Sequence, residues 1–156
     1  MKKIKFLLIS FMISFWSFNL NAADWTMASG YPKSNFHTQN IMKFIDEVKA
    51  NTSVNINLNP NDTLIKLDAI KTSLQRGQIP IGEIRFGIYG NEDPMYILAG
   101  LPFIAPDYAS AWLLKEVKHE YLQNLFNKKG LRILYTSPWP GQGFYTKTPV
   151  NGVSDF

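Results

Sequence analysis

The 156-residue sequence contains no cysteine. This absence excludes disulfide scaffolds, zinc ribbons, iron–sulfur clusters, thiol nucleophiles and lipid attachment through an N-terminal cysteine. Histidine is scarce, since only His37 and His119 occur, and they lack the i, i+4 spacing of a zinc-binding helix. The apolar share of 46% is too high for a disordered chain. We therefore expect a domain stabilised by its own apolar core.

Catalytic and cofactor signatures are also missing. No Gly-x-Ser-x-Gly turn is present to carry a serine nucleophile. Gly82, Gly87 and Gly90 do not have the spacing of a dinucleotide-binding fingerprint or a P-loop. The sequence therefore predicts no metal, no cofactor and no catalytic residue.

The N-terminus has the pattern of an export signal. Lys2, Lys3 and Lys5 precede an apolar run over residues 6–16, which is too short to span a membrane. Small residues follow, and cleavage after Ala22 or Ala23 is expected. Without these three lysines the chain has 13 basic and 12 acidic residues, so the formal charge of +4 gives no support for nucleic-acid binding.

The remaining chain alternates short strand and helix patterns. We predict strands at residues 25–28 and 54–58, and a helix after them capped by Asn61 or Asp62 and closed by Arg76-Gly77. The helix between the two strands has Ser34 or Asn35 as its N-cap. Its apolar face consists of Phe36, Ile41, Phe44, Ile45 and Val48. This alternation is typical of an α/β layer with a mostly parallel sheet.

The pattern continues with a third strand and a long helix. The two-residue period of the third strand changes phase at Gly82-Glu83, which predicts a bulge or a strand end there. Asp93-Pro94 opens a short helix, and the apolar run 101–103 is expected to be covered. A helix is predicted over about 107–129, followed by a strand at 131–135. The predicted buried face of that helix is Trp112, Leu113, Val117, Tyr121, Leu125 and Phe126.

Ligands of parallel sheets bind outside the carboxyl ends of the strands. The loops 29–35, 60–63 and 83–91 would form that edge. Glu83 falls there between apolar residues, so it either orients a ligand or pairs with Arg85 or a lysine. His37 either donates to a ligand or faces water.

The turn at residues 138–143 is the other candidate for binding. Trp139 offers a flat apolar wall, and Gln142 offers both a donor and an acceptor. Flanking prolines stiffen the turn and reduce the entropy lost on binding. The alternative is a structural crossing segment with a packed tryptophan.

Three segments in order resemble the N-terminal part of a known family. They are Asp24-Trp25-Thr26-Met27-Ala28-Ser29-Gly30-Tyr31-Pro32, the stretch from Ala69-Ile70-Lys71 to Gln75-Arg76-Gly77-Gln78-Ile79, and Leu101-Pro102-Phe103-Ile104. The family is the DctP-type solute receptors of tripartite ATP-independent periplasmic (TRAP) transporters, and the resemblance extends from Asp24 to Phe156.

The resemblance implies a type II periplasmic binding protein fold. Its two α/β lobes close on an organic acid, often a C4-dicarboxylate, and deliver it to membrane permease subunits. It implies a periplasmic location, no enzymatic activity and a ligand-binding cleft. The cleft residues it implies here are Tyr31, His37, Glu83, Phe86, Trp139 and Gln142.

Two departures from the family pattern concern arginine. The carboxylate-binding arginine of a Lys-Gly-x-Lys-x-Arg stretch would lie beyond Phe156, and Gln142 stands where another arginine is common. A glutamine cannot supply the charge of an arginine fork. We expect an N-terminal fragment with a signal peptide (1–22), a first lobe (23–135) and the start of a second lobe (136–156), with apolar surface left exposed.

Two alternatives to a receptor remain at this point. One is a small exported α/β hydrolase that uses Glu83 and His37, and the other is a fragment with no function of its own.

Overall fold

Three parallel strands with helices packed against them organise the chain. The computed structural model describes residues 23–141, 143 and 145–155. The strands and α-helices are β1 (Asp24–Ala28), α1 (Phe36–Asn51), β2 (Asn55–Asn59), α2 (Ile70–Gln75), β3 (Ile81–Gly82) and α3 (Tyr108–Asn127). Short 3₁₀ helices occupy Phe86–Tyr89, Pro94–Tyr96, Leu98–Gly100 and Val153–Asp155. The predicted signal peptide and Gln142 lie outside the described residues.

The sheet has the strand order β2-β1-β3, and both pairings are parallel. Met27 of the central strand pairs with Leu58 on one side and with Ile81 on the other. This confirms the predicted α/β layer with a parallel sheet, and it brings the carboxyl ends of all three strands to one edge.

Helix α1 covers the sheet as its sequence pattern predicts. The side chain of Asn35 accepts a hydrogen bond from the His37 N–H at 2.9 Å and so caps the helix. Buried Ile41 packs with Met27, Ile56 and Ile81, and the predicted residues Phe44, Ile45 and Val48 pack around this cluster. Apolar burial on one helical stripe therefore stabilises this layer.

Helix α2 is shorter than predicted. Asn61 and Asp62 have left-handed backbone conformations, with φ of 58° and 57°, so they do not cap a helix that begins beside them. The Asp62 carboxylate instead accepts a hydrogen bond from the Leu67 N–H at 2.9 Å and closes a loop. The helix begins at Ile70 and ends, as predicted, at Arg76-Gly77, where Gly77 has a φ of +67°.

Strand β3 ends at the predicted change of phase. It comprises only Ile81 and Gly82, and a 3₁₀ helix begins four residues later at Phe86. A side chain at Gly82 would lie 2.7 Å from Cγ2 of Ile70, so only glycine allows α2 to pack this closely.

Helix α3 presents a different face from the one predicted. Lys118, Leu122 and Phe126 are buried, whereas Trp112 and Val117 are 63% and 72% exposed. Of the predicted face, Phe126 is buried and Leu125 packs beside it, while Leu113 and Tyr121 are exposed. The helix carries apolar residues on more than one side, and the side that faces Tyr96 and Phe86 is the one that becomes buried.

Two other expectations are wrong. Residues 131–135 form no strand within the described part of the chain, because no described strand pairs with them there, although Leu131 and Ile133 pack against the α3 core. The run 101–103 is not covered, since Phe103 is 95% exposed at a φ of 65°.

An ion pair between a buried lysine and an exposed glutamate connects α2 with the segment before α3. Lys71, which is 2% exposed, pairs with Glu92, and Lys129 at the end of α3 binds the other Glu92 oxygen at 2.5 Å. The Lys71 ammonium also lies 3.9 Å from the centroid of the Tyr89 ring. Hydrogen bonding to Lys129 and Lys71 lowers the pKa of Glu92.

Among the helices that the structure describes, none has the length and apolar character needed to cross a membrane.

Candidate functional site

Ser29 and Glu83 meet at the carboxyl ends of two neighbouring strands. Ala28 pairs with Gly82 in the parallel ladder, so the next residues of β1 and β3 lie side by side. The Glu83 N–H donates to the Ala28 carbonyl at 2.9 Å, and Ser29 Oγ donates to Glu83 Oε2 at 2.5 Å. The strand pairing thus fixes a carboxylate at the edge where ligands of parallel sheets bind.

Ser29 is held rigidly in this arrangement. It is completely buried, and its N–H donates to the Asn59 carbonyl of β2 at 3.0 Å. Its Oγ also accepts a hydrogen bond from the Tyr31 N–H at 3.3 Å. The hydroxyl therefore points at Glu83, and its burial makes it unsuitable as a nucleophile.

The Glu83 carboxylate has no positive partner in the described part of the chain. Burial raises its pKa, and the hydrogen bond from Ser29 opposes that rise. The alternative of an ion pair with Arg85 or a lysine is wrong for the residues described. No contact in this part joins Glu83 to His37 either, so the hydrolase alternative gains no support.

Three aromatic side chains surround His37, and one of them belongs to Tyr31, whose N–H donates to Ser29 Oγ at 3.3 Å. The Trp139 ring lies 4.5 Å from His37, 5.3 Å from Tyr31 and 5.3 Å from Phe36, measured between ring centroids. All three contacts are edge-on. Trp139, predicted as an apolar wall, thus joins the loop after β1 and the start of α1.

Two polar atoms in this cluster lack partners. Tyr31 Oη and His37 Nε2 are shielded from solvent, and no described residue forms a hydrogen bond with either of them. Burial lowers the pKa of His37, which is 7% exposed, so the neutral imidazole is favoured. Burial also raises the pKa of Tyr31. The positive charge of Arg85 lowers this pKa, and the negative charge of Glu83 raises it. Unsatisfied groups of this kind cost about 1–3 kcal/mol each and require an explanation.

The structure brings together four of the six predicted cleft residues, Tyr31, His37, Glu83 and Trp139. Phe86 lies elsewhere, because its ring packs 5.6 Å from Tyr96 and 5.9 Å from Phe126 in the α3 core. Gln142 is not among the described residues.

Sequence reasoning missed Ser29 and Tyr135 as neighbours of Glu83. Burial raises the pKa of Tyr135, and the Glu83 charge raises it further, which places the phenol near the carboxylate. The position of Ser29 could have predicted this contact, because Ser29 directly follows β1 as Glu83 directly follows β3.

The loops 60–63 and 83–91 border a separate shallow depression of about 290 Å³. Its lining residues are Asp62, Lys66, Leu67, Asp68 and Ile88. It does not include Glu83 or the aromatic cluster. The described residues also contain no group of three His, Asp or Glu side chains that could hold a metal ion.

Residues 27–156 match the sequence profile of the DctP family, described as bacterial extracellular solute-binding protein, family 7. No curated protein matches the chain at a significant level.

Three solved structures are closely similar. DctP7 of Bordetella pertussis, an extracytoplasmic solute receptor binding pyroglutamic acid, is 38% identical over 86% of this chain with a TM-score of 0.80. A marine-metagenome TRAP solute-binding protein specific for pyroglutamate is 35% identical over 87%, also with a TM-score of 0.80. DctP6 of B. pertussis, another receptor binding pyroglutamic acid, is 34% identical over 76% with a TM-score of 0.74.

These neighbours confirm the predicted fold class, the α/β fold of type II periplasmic binding proteins. The chain spans 45% of the length of DctP7 and of the metagenome protein, and 40% of the length of DctP6.

Proposed function

This chain belongs to the bacterial extracellular solute-binding proteins of family 7, and on that basis we propose that it acts as the periplasmic receptor of a TRAP transporter. In this role it binds a small organic acid and delivers it to membrane permease subunits. The family and the solved neighbours are solute-binding receptors. Accordingly, the chain binds and releases its ligand without breaking a bond, and it is not an enzyme.

One observation carries the proposal. Glu83, held by buried Ser29, lies at the carboxyl ends of β1 and β3, and the Tyr31 N–H donates to the same Ser29 hydroxyl. The shielded polar atoms of Tyr31 and His37 lack partners among the described residues. A binding site commonly combines apolar walls with a few fixed polar groups. Trp139 supplies such a wall.

Pyroglutamate is the first ligand to test. Three receptors 34–38% identical to this chain bind it. Its small ring suits the flat faces of Tyr31 and Trp139. A C4-dicarboxylate, which the family resemblance also suggests, is the second ligand to test.

The proposal assigns three parts to the chain. Residues 1–22 direct export and are removed, residues 23–135 form the first lobe, and residues 136–156 cross towards a second lobe. The ligand then lies between Glu83 and that second lobe.

The test measures L-pyroglutamate binding by titration calorimetry. It uses residues 23–156 and also a chimera in which the second half of B. pertussis DctP7 follows Asp155. We expect saturable one-to-one binding by the chimera, and weaker binding by residues 23–156, which lack most of a second lobe. Trp139→Ala weakens binding about tenfold or more, because it removes an aromatic anchor.

Trp112→Ala is the matched control, since Trp112 is 63% exposed on α3 and outside the cluster. It should leave the affinity unchanged. If neither form binds pyroglutamate or a C4-dicarboxylate while DctP7 binds pyroglutamate under the same conditions, the proposed function is wrong.

A further inference from the structure

The orientation of Glu83 carries information about which acid is bound. One carboxylate oxygen, Oε2, accepts from Ser29, and no described residue donates to Oε1. A carboxylate accepts hydrogen bonds and donates none. In the described part of the chain no lysine, arginine or histidine nitrogen lies within 4 Å of this carboxylate, so it forms no ion pair. The group that a ligand presents to Glu83 must therefore be a hydrogen-bond donor.

A second carboxylate is a poor match for this position. Two like charges that share a partly dry site raise each other's free energy, and one of them must take up a proton. Glu83 is already disfavoured as a charge, because burial raises its pKa. An amide N–H of the ligand can donate to Glu83 Oε1 without adding a charge. The only carboxylate of the ligand can then point away from Glu83.

The surroundings favour a flat donor. The rings of Tyr31, His37 and Trp139 lie within 6.0 Å of one another between centroids. Trp139 is 42% exposed, so part of its ring remains available to cover the small ring of a cyclic amide. Tyr31 Oη and His37 Nε2, both without described partners, can bond to the carbonyl and to other polar groups of a ligand.

We propose that Glu83 is a specificity-determining residue, which accepts the ring N–H of a cyclic amide acid and discriminates against dicarboxylates. This inference rests on the proposed function. Ser29 acts as a positioning residue, because its buried hydroxyl fixes one Glu83 oxygen and leaves the other for the ligand.

The experiment compares two ligands that differ at one ring atom. Pyroglutamate has a ring N–H, and 5-oxotetrahydrofuran-2-carboxylate has a ring oxygen in its place. Titrations of both, and of glutarate as the dicarboxylate, use residues 23–156 and the DctP7 chimera. We expect the lactam to bind about 100-fold more tightly than the lactone, because the lactone sets an acceptor against a carboxylate.

Glu83→Gln tests the residue itself. The glutamine amide can donate as well as accept, so the preference for the lactam should fall about tenfold or more. Ser29→Ala should weaken lactam binding by a smaller factor. Glu47→Gln, a change at an exposed position of α1, is the matched control and should retain the full preference. Thermal unfolding of each variant without ligand confirms that it is folded.

The inference is overturned if the unmodified protein binds lactam and lactone within threefold, or if Glu83→Gln keeps the full preference. Tighter binding of glutarate than of pyroglutamate overturns it too, while the receptor function stands. Failure to bind any of the three acids overturns the inference, and if a C4-dicarboxylate also fails to bind, the receptor function is contradicted as well.

Discussion

The sheet layer, residues 24–82, and the helical region, residues 94–155, bury their apolar residues to very different extents. In the sheet layer Met27 is 4% exposed and Ile70 is completely buried. In the helical region Phe103 is 95% exposed and Tyr145 is 96% exposed. Each region has a buried core, but among the described residues of the two, large apolar side chains that are mostly exposed occur only in the helical region.

The difference follows from how each region is covered. Helix α1 lies on one face of the three-strand sheet and α2 packs closely at Gly82, so strand residues are enclosed. Helix α3 has one buried stripe, ending at Phe126, whereas Trp112, Leu113 and Val117 on its other sides are 63–72% exposed. In the proposed receptor, the second lobe is the expected partner for part of this exposed surface.

The largest expected effect tests whether the sheet layer carries the stability. Ile70→Ala removes a completely buried side chain that packs with Ala28 and Ile79, and it should reduce the free energy of unfolding by about 2–5 kcal/mol. Val117→Ala, at a position 72% exposed on α3, should change it by less than about 0.5 kcal/mol. Urea titration of both variants measures the contrast. If both variants lose the same free energy of unfolding, Val117 on α3 is buried in solution, and the two regions do not differ in burial.

A somewhat smaller effect tests the connection between the regions. Glu92→Gln leaves the buried Lys71 ammonium without its anion, but Glu92 itself is exposed to solvent, so the loss of stability should be about 1–2 kcal/mol. Because the folded pKa of Glu92 is lowered, its contribution is complete above the unfolded value of 4.5 and is lost as the pH falls through the folded value.

The variant should therefore show a flatter decline in stability on the acid side than the unmodified chain. Glu116→Gln is the control, since its pair with Lys115 is at the surface and such pairs contribute little. A Glu92 variant as stable as this control at neutral pH would mean that the two regions are not joined by the ion pair.

The same contrast explains which elements the sequence predicts well. For β1, α1 and β2 one face is apolar and the other polar, and Asn35 marks the helix start, so local pattern and tertiary burial agree. The change of phase at Gly82-Glu83 correctly predicts where β3 ends. That strand end also places Glu83 at the carboxyl edge of the sheet, where the proposed ligand would bind.

Other features depend on partners distant in sequence. The buried face of α3 is selected by Tyr96 among several apolar stripes, so periodicity alone selects the wrong one. Residues 131–135 have a strand-like composition, but a strand requires a neighbour to pair with. The bond from Ser29 to Glu83 joins residues 54 positions apart and exists only because β1 and β3 are parallel neighbours.

The smallest expected effect concerns Glu83. This residue lies at the edge of the well-packed sheet layer, and burial there disfavours its charged form. Its folded pKa is raised, first by burial, so the folded chain binds this proton more tightly than the unfolded chain does. Stability should therefore fall as the pH rises from below 4.5 through the folded pKa. The groups that influence or contact this carboxylate are Ser29, Tyr31 and Tyr135.

Glu83→Gln removes this cost, so the variant should be slightly more stable than the unmodified chain at neutral pH and equally stable at low pH. Urea titrations across the pH range, with Glu47→Gln as control, measure the difference. A variant that is less stable at neutral pH would show that the hydrogen bond from Ser29 to Glu83 stabilises the fold. Glu83 would then have a structural role. If Glu83→Gln gains stability but loses the preference for the lactam, the Glu83 carboxylate lowers the stability of the sheet layer and is needed for ligand binding.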